Sequence, residues 1–517
     1  MKEASGNSNG GSGGGNSGSG NSGSGGTLKQ RTARGIAWGA AGNVLQQALS
    51  LAAGIILARL LSADEYGMVG VLAIFTAIAA VLLDGGFAAA LINRQDATEE
   101  HYNAVFWFNV AMGLGLYAIL WIAAPYIAAF YRLPELTALA RYVFFGFVLG
   151  CTIAVHSAVL TKRLLIKRKM IVHVTALLVS SVVGVVMAWQ GMSYWAIASQ
   201  TMSYMLVLTV GTWIVSPWRP AWQFAAAPLR QMLPFSIKVA LTNIFNQINQ
   251  NVLTVLLGRF YDARQVGYYT QGSKWMTMGS SLVNNMVSGV SQPVLATTAA
   301  EPERQLRAFR KMLRFQAMVA MPVMLGIALI APELITLAIT DKWSASVPIL
   351  QLLCLWGAMV PINNLFSSMA VSRGDSGVYL RNTMALGCLQ VAALLSVGLL
   401  HDGIGALLLT FVAINIAWVG VWNLYARRAI GMRFRFTVAD IAPFAGAAAV
   451  AVLLGWAAAR PIASLWLALA VKVAVTAAAY CATLWMARVV IFREAVQFLI
   501  STILRKKPTD NEGTTTI

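Results

Sequence analysis

The stretch PFSIKVALTNIFNQINQN (Pro234–Asn251) sets Asn243, Asn246, Gln247, Asn249, Gln250 and Asn251 into an otherwise apolar run. A side-chain amide both donates and accepts hydrogen bonds, as a sugar hydroxyl does. These amides cover more than one face of a helix, so a helix facing only lipid could not carry them. Two roles stand open: a hydrated cavity whose amides bind sugar hydroxyls, or amide packing between helices. An earlier run carries a sparser version in Asn43, Gln46 and Gln47, of which Asn43 and Gln47 join Asn246, Gln247, Asn249, Gln250 and Asn251 as candidate substrate-binding residues.

Charges inside apolar runs are fewer. Lys274 lies about ten residues into its run, too deep to snorkel easily, and suits either a phosphate ligand or a structural ion pair. Lys238 is the other candidate phosphate residue, though near a span end it can snorkel to the surface. Lys472 lies in the last apolar run, away from the amides. Asp84, in LLDGGFAAALINR, is read as the one carboxylate well inside a span. It is the candidate for binding a coupling cation or proton; capping or charge pairing is the alternative, since Gly85–Gly86 can break the helix there.

These residues need a membrane scaffold. The chain has 517 residues, 58% hydrophobic and 11% charged, against roughly 25% charged in a soluble domain. About fourteen apolar runs are long enough to cross a bilayer core as helices, so the fold expected is an all-α integral membrane protein and not a β-barrel. The runs at 265–295 and 346–371 least resemble simple spans, and 332–342 reads as a short extra element before the second of them.

The net charge is +19. With the first residues placed in the cytoplasm and the spans alternating, most of the 38 Lys and Arg fall on the cytoplasmic side, as the positive-inside rule requires. Both termini are then cytoplasmic. The basic loops read as topology signals, with anionic-lipid contact as the other role, and nucleic acid is not an expected partner. Cys151, Cys354, Cys388 and Cys481 read as buried small hydrophobes, and the four histidines form no ligand cluster. Residues 1–28 are a Gly/Ser/Asn-rich tail without the features of a secretory leader.

Two segments repeat. ILARLLSADEYGMVG (Ile56–Gly70) aligns on LLGRFYDARQVGYYT (Leu256–Thr270) with no gap, placing Arg59 on Arg259, Ala63 on Ala263 and Gly67 on Gly267. Asn43 and Gln47 fall on Asn243 and Gln247, and Asp84 falls on Asn284. Each segment reads as a hairpin. Arg59 and Arg259 meet the carbonyls at a helix end. Ser62 with Glu65 forms a capping box, Asp262 with Gln265 a variant of it, and Gly67 and Gly267 allow close helix contact. Six spans separate the hairpins, so the two units run in the same direction and a parallel repeat is expected. The plan is two pseudo-symmetric six-helix lobes, 29–216 and 231–430, joined by an interfacial linker at 217–230 whose indoles sit at headgroup level. Two further helices follow at 431–492, then a tail at 493–517.

LARLLSADEYG (Leu57–Gly67), LLDGGFAAALINR (Leu82–Arg94) and DKWSASVPILQLLCLWG (Asp341–Gly357) resemble the polysaccharide transporter family. More narrowly, the chain resembles Wzx-type lipid-linked oligosaccharide flippases of the colanic-acid exporter kind, in the multidrug/oligosaccharidyl-lipid/polysaccharide exporter superfamily. Arg59, Gly67, Asp84, Asn246, Asn249, Asn251, Arg259 and Lys342–Trp343 fall on positions of that family's pattern. The resemblance implies transport of undecaprenyl-pyrophosphate-linked oligosaccharides across a bacterial inner membrane, with membrane lipids and a polysaccharide polymerase machinery as further partners. No cofactor is expected; a proton or sodium gradient is the candidate energy source. No Walker A loop, dinucleotide fingerprint, zinc spacing or nucleophile–base constellation is present, so an enzyme is not expected. The competing functions are an ion-coupled drug antiporter and a peptidoglycan-precursor flippase of the same superfamily.

Overall fold

The computed structural model describes residues 28–84, 87–94, 97–223, 226–400, 403–494 and 496–497. Among them there is no strand. The first half holds α1 (Leu28–Leu60), α2 (Ala63–Gly70), α3 (Ala73–Asp84), α4 (Phe87–Asn93), α5 (Glu99–Tyr131), α6 (Leu136–Phe144), α7 (Gly146–Gly150), α8 (Ile153–Lys162), α9 (Ile166–Trp189) and α10 (Trp195–Val215). The second holds α11 (Ala226–Phe260), α12 (Ala263–Thr297), α13 (Pro302–Ile339), a 3-10 turn at Asp341–Trp343, α14 (Ser346–Ser372), α15 (Ser376–Leu400), α16 (Ile404–Ile430), α17 (Phe434–Ala459) and α18 (Leu465–Met486).

Within the described residues, 11 helical stretches are long and apolar enough to cross a membrane. The expected runs at 193–216, 231–258 and 265–295 form α10, α11 and α12, which are less apolar because they carry amides and hydroxyls. The run at 346–371 is a plain helix, α14, contrary to expectation. The extra element expected at 332–342 is instead the last turns of α13, continued through Pro332, and the Asp341–Trp343 turn. The linker is shorter than expected, because α11 starts at Ala226. Of its indoles, Trp218 is buried against Tyr102 and Phe106 and donates to Glu99 Oε2 at 2.6 Å. Trp222 does stand exposed, its ring 4.5 Å from that of Trp107. Of the cysteines, Cys151 and Cys354 are buried but Cys388 and Cys481 are exposed, so the uniform burial expected of them does not hold.

Two buried carboxylates correct the view that Asp84 is alone. Glu333 of α13 accepts from Lys472 of α18 at 2.6 Å, with each side chain about one-tenth exposed. Asp440 of α17, its side chain fully buried, holds Arg310 and Arg314 of α13. Sequence distance hid both pairs. The first fixes the C-terminal helix onto α13, where Lys472 Nζ also donates to the Leu329 carbonyl at 3.3 Å. Lys472→Met therefore leaves a buried carboxylate without its cation. It should cost about 3 kcal/mol or more, read as a lower unfolding midpoint in detergent, and a second substitution, Glu333→Leu, should recover most of the loss.

Candidate functional site

The amide-bearing helix α11 lies against α3, α5 and α15, while α12 packs on α2 and α14. Between α11, α12, α14, α15 and α16 they enclose a cavity of about 590 Å³, with Ala73 and Ala77 of α3 closing one side. Asn246, Gln247, Asn249, Gln250 and Asn251 all line it, as do Ser273, Thr277, Ser280 and Ser281 of α12. Asn284 of α12 lines it too, and α14, α15 and α16 add Asn363, Asn364 and Asn415, with Trp356, Tyr379, Trp418 and Trp422. Among the described residues of the lining there is no Asp, Glu, Lys, Arg or His.

Both roles open to the amides are realised, on different atoms. The nitrogens tie helices together: Asn246 Nδ2 donates to the Tyr379 hydroxyl at 3.0 Å, Asn249 Nδ2 to the Thr383 carbonyl at 3.0 Å and Asn364 Nδ2 to Asn284 Oδ1 at 3.0 Å. Asn251 Nδ2 donates within α11 to the Gln247 carbonyl at 2.9 Å. By contrast, Asn249 Oδ1 and Asn363 Oδ1 are buried with no partner among the described residues. A buried unsatisfied acceptor is rare in a folded protein and is costly unless something else supplies a donor. Asn249 reaches its position because α15 has Gly387 there, whose missing Cβ leaves room for that oxygen. The cavity lies toward the end opposite Arg59, since Tyr379 follows closely on the start of α15.

Several expected site residues lie elsewhere. Asn43 and Gln47 of α1 are exposed and do not line the cavity. Lys274 is next to the lining residue Ser273 but is not itself part of the lining. Its Nζ rests against Gly54 of α1, and it has no hydrogen bond or ion pair among the described residues. The side chains of Lys238 and Asp84 lie outside the described residues; α3 does end at Asp84. Residues not singled out from the sequence are Asn284, Asn363, Asn364, Asn415 and the aromatic rings. Asn363–Asn364 and Asn415 carry the signal that marked α11, an amide inside an apolar run, but too sparsely to stand out.

The repeated hairpins meet each other. A Cβ at Gly67 would overlap the Ala263 carbonyl oxygen, and a Cβ at Gly267 would overlap that of Ala63. This reciprocity is the mark of a two-fold contact, each unit offering the same surface to the other. Around it, Arg264 Nε pairs with Asp64 Oδ2 at 2.9 Å. The Ser62–Glu65 capping box is formed, with Ser62 N donating to Glu65 Oε2 at 2.6 Å. Asp262 accepts from Gln265 N at 2.9 Å. Arg59 departs from its expected partner. It caps α13 rather than its own helix, donating to the Leu337 and Ala338 carbonyls at 2.6 and 2.7 Å. Arg259 lies over the Phe130 ring of α5. Lys342 donates to the Arg59 carbonyl at 2.7 Å, and Trp343 to that of Ala58 at 2.8 Å. Burial lowers the Lys342 ammonium below its ordinary pKa, and the Glu65 charge opposes that pull. The buried Trp343 ring meets both Tyr66 and Tyr268 edge-on, so one side chain touches both hairpins.

This architecture has relatives. Its backbone superposes on the lipid II flippase MurJ in an inward closed conformation with a TM-score of 0.72, at 13% identity, covering 89% of this chain and 99% of that one. An inward-facing multidrug resistance MATE family transporter of the MOP superfamily gives 0.60 at 18% identity over 75% of this chain and 94% of the other. Among curated proteins, the teichuronic acid biosynthesis protein TuaB of Bacillus subtilis (strain 168) is 28% identical, over 62% of this chain and 69% of that protein. The lipopolysaccharide biosynthesis protein WzxC of Escherichia coli (strain K12) is 23% identical over 74% and 78%. The family model described as "Polysaccharide biosynthesis protein" matches residues 56–348, more than half of the chain. This helical membrane chain, with its amide-lined cavity, belongs to that polysaccharide biosynthesis family.

Proposed function

We propose that the chain is a flippase that moves undecaprenyl-pyrophosphate-linked oligosaccharide units from the cytoplasmic to the periplasmic leaflet of a bacterial inner membrane, for surface polysaccharide synthesis. The observation that carries this reading is the chemistry of the cavity. It is large enough for a substantial ligand, it offers amides and hydroxyls that can both donate and accept, and its described lining residues include no charged side chain. Sugar hydroxyls need such donors and acceptors, and the faces of Trp418 and Trp422 suit the C–H face of a sugar ring. Among the described lining residues a cationic drug would find no carboxylate, which favours a glycan over a drug as the ligand.

The lipid-linked glycan divides among three environments. Its polyprenyl chain stays in lipid, its sugars enter the amide cavity, and its pyrophosphate needs a cation nearby because an unpaired anion is costly to desolvate. Lys274 is the residue proposed for that role, with Lys238 as a second candidate. Transport then proceeds by rocking of the lobes 29–216 and 231–430 about the α2–α12 contact, in the manner of parallel-repeat transporters. With the N-terminus cytoplasmic, the hairpins form the periplasmic gate, closed here, and the cavity lies on the cytoplasmic side. Asp84 is the proposed site of proton or sodium coupling. Membrane lipids and a polysaccharide polymerase are the proposed partners.

Lys274→Ala tests the phosphate assignment. Lys274 holds no hydrogen bond or ion pair among the described residues, so its removal relieves an unpaired, largely buried charge and the unfolding midpoint should hold or rise. Transport should fall at least about tenfold, the loss expected when a charge-assisted contact worth about 1.4 kcal/mol or more is removed. Normal transport by Lys274→Ala would remove Lys274 from the site.

A further inference from the structure

A second feature lies away from the amide cavity. Helices α13, α17 and α18 and the segment after α18 border a groove of about 340 Å³. Most of its wall is apolar, including Phe444, Leu484, Val490 and Ile491, but Arg314 and Asp440 stand in it. Asp440 accepts from Arg310 Nε at 2.7 Å and Nη2 at 2.9 Å, and from Arg314 Nε at 2.6 Å.

The charges in this cluster do not cancel. One buried carboxylate is neutralised by one guanidinium, and Arg310 already grips it through two donors. Arg314 is therefore surplus for charge balance. Its side chain is 43% exposed while that of Asp440 is 0% exposed, so the excess positive charge faces outward at the groove. A guanidinium has five N–H donors, and Asp440 takes one from Arg314. Asp440 holds Arg314 in fixed orientation, which reduces the ordering cost of gripping an anion with its planar guanidinium fork. Further cations lie close by in sequence on the same helices: Arg307 on α13 and Arg435, whose guanidinium shares the Phe436 ring with Arg310.

We propose that this groove binds an anionic phospholipid of the surrounding bilayer, with its phosphodiester on the remaining donors of Arg314 and an acyl chain along Phe444 and Leu484. Charge complementarity selects this occupant: a zwitterionic lipid would bring its own cation to a site that already carries excess positive charge, and a free anion would leave the apolar wall unused. The inference rests on the membrane-embedded fold and does not depend on which substrate the amide cavity takes. The bound lipid would brace α17 and α18 against the first part of α13, toward the opposite end of that helix from the Lys472–Glu333 pair.

The test uses the purified full chain in detergent, stripped of lipid and titrated with phosphatidylglycerol or phosphatidylcholine, with bound lipid counted by native mass spectrometry. Phosphatidylglycerol should be retained about tenfold better than phosphatidylcholine, as expected for bidentate charge-assisted binding. Arg314→Gln should reduce phosphatidylglycerol to the phosphatidylcholine level. It leaves Asp440 paired with Arg310, so the lipid-free unfolding midpoint should hold. Arg427→Gln, at the end of α16, should change nothing. Equal retention of the two lipids, or undiminished phosphatidylglycerol binding by Arg314→Gln, would overturn the proposal. So would full displacement of phosphatidylglycerol by millimolar inorganic phosphate, because the apolar wall would then contribute nothing.

Discussion

Gly67→Val is expected to abolish transport while leaving the protein inserted and folded. The added Cβ would occupy the space of the Ala263 carbonyl oxygen. That oxygen is backbone, so no rotamer change relieves the overlap, and α2 must move away from α12. Forcing a side chain into a packed contact costs about 1–3 kcal/mol. The nearby Asp64–Arg264 pair, with side chains 50% and 58% exposed, is worth at most about 1 kcal/mol and cannot compensate. A cost of about 3 kcal/mol confined to the closed gate shifts its population by roughly a hundredfold. Cysteines replacing Asp64 and Arg264 report the gate directly. Their cross-linking yield should fall at least tenfold when Gly67→Val is added, and Gly267→Val should do the same. Undiminished cross-linking would mean that the glycine contact does not set the gate.

The second large effect separates activity from stability. Asn363→Leu removes an acceptor that is buried and unpartnered among the described residues. Replacing an unsatisfied buried polar group by an apolar one of similar shape is neutral or stabilising, by about 1 kcal/mol. The unfolding midpoint should therefore hold or rise. Transport should nevertheless fall about tenfold, the value of one lost hydrogen bond to substrate of about 1.4 kcal/mol. Asn249 is a poorer choice for this test because its Nδ2 also holds the Thr383 carbonyl. A loss of stability in Asn363→Leu would show that the amide is structural. Unchanged transport would show that the oxygen does not face substrate.

The membrane fold was legible because bilayer thickness imposes a length on each apolar run. The amides of α11 were legible because polar groups in such a run have few places to go. The hairpin glycines were legible as close-packing residues, but only the folded chain pairs Gly67 with the turn after Arg259 and Gly267 with the turn after Arg59. Other features depend on contacts hundreds of residues apart. Arg59 looks from the sequence like a cap on its own helix; in three dimensions the nearer free carbonyls are those at the end of α13. Glu333 sits beyond Pro332, which breaks the apparent span, so it read as part of a loop element. Asp440 and Lys472 find their partners on α13, more than a hundred residues away in sequence. Asn363 and Asn415 face the same space as Asn249, which no periodicity within one helix can reveal.

The most direct measurement places the purified chain in liposomes containing an undecaprenyl-pyrophosphate oligosaccharide and follows the fraction of glycan accessible to an external glycosidase, with and without a proton or sodium gradient. The account predicts protein-dependent movement of glycan between leaflets, weakened by Asn363→Leu and lost in Gly67→Val. If well-folded protein moves none of several such glycans but does move a cationic drug against a gradient, the amide-lined cavity is not a glycan site and the proposed function is wrong.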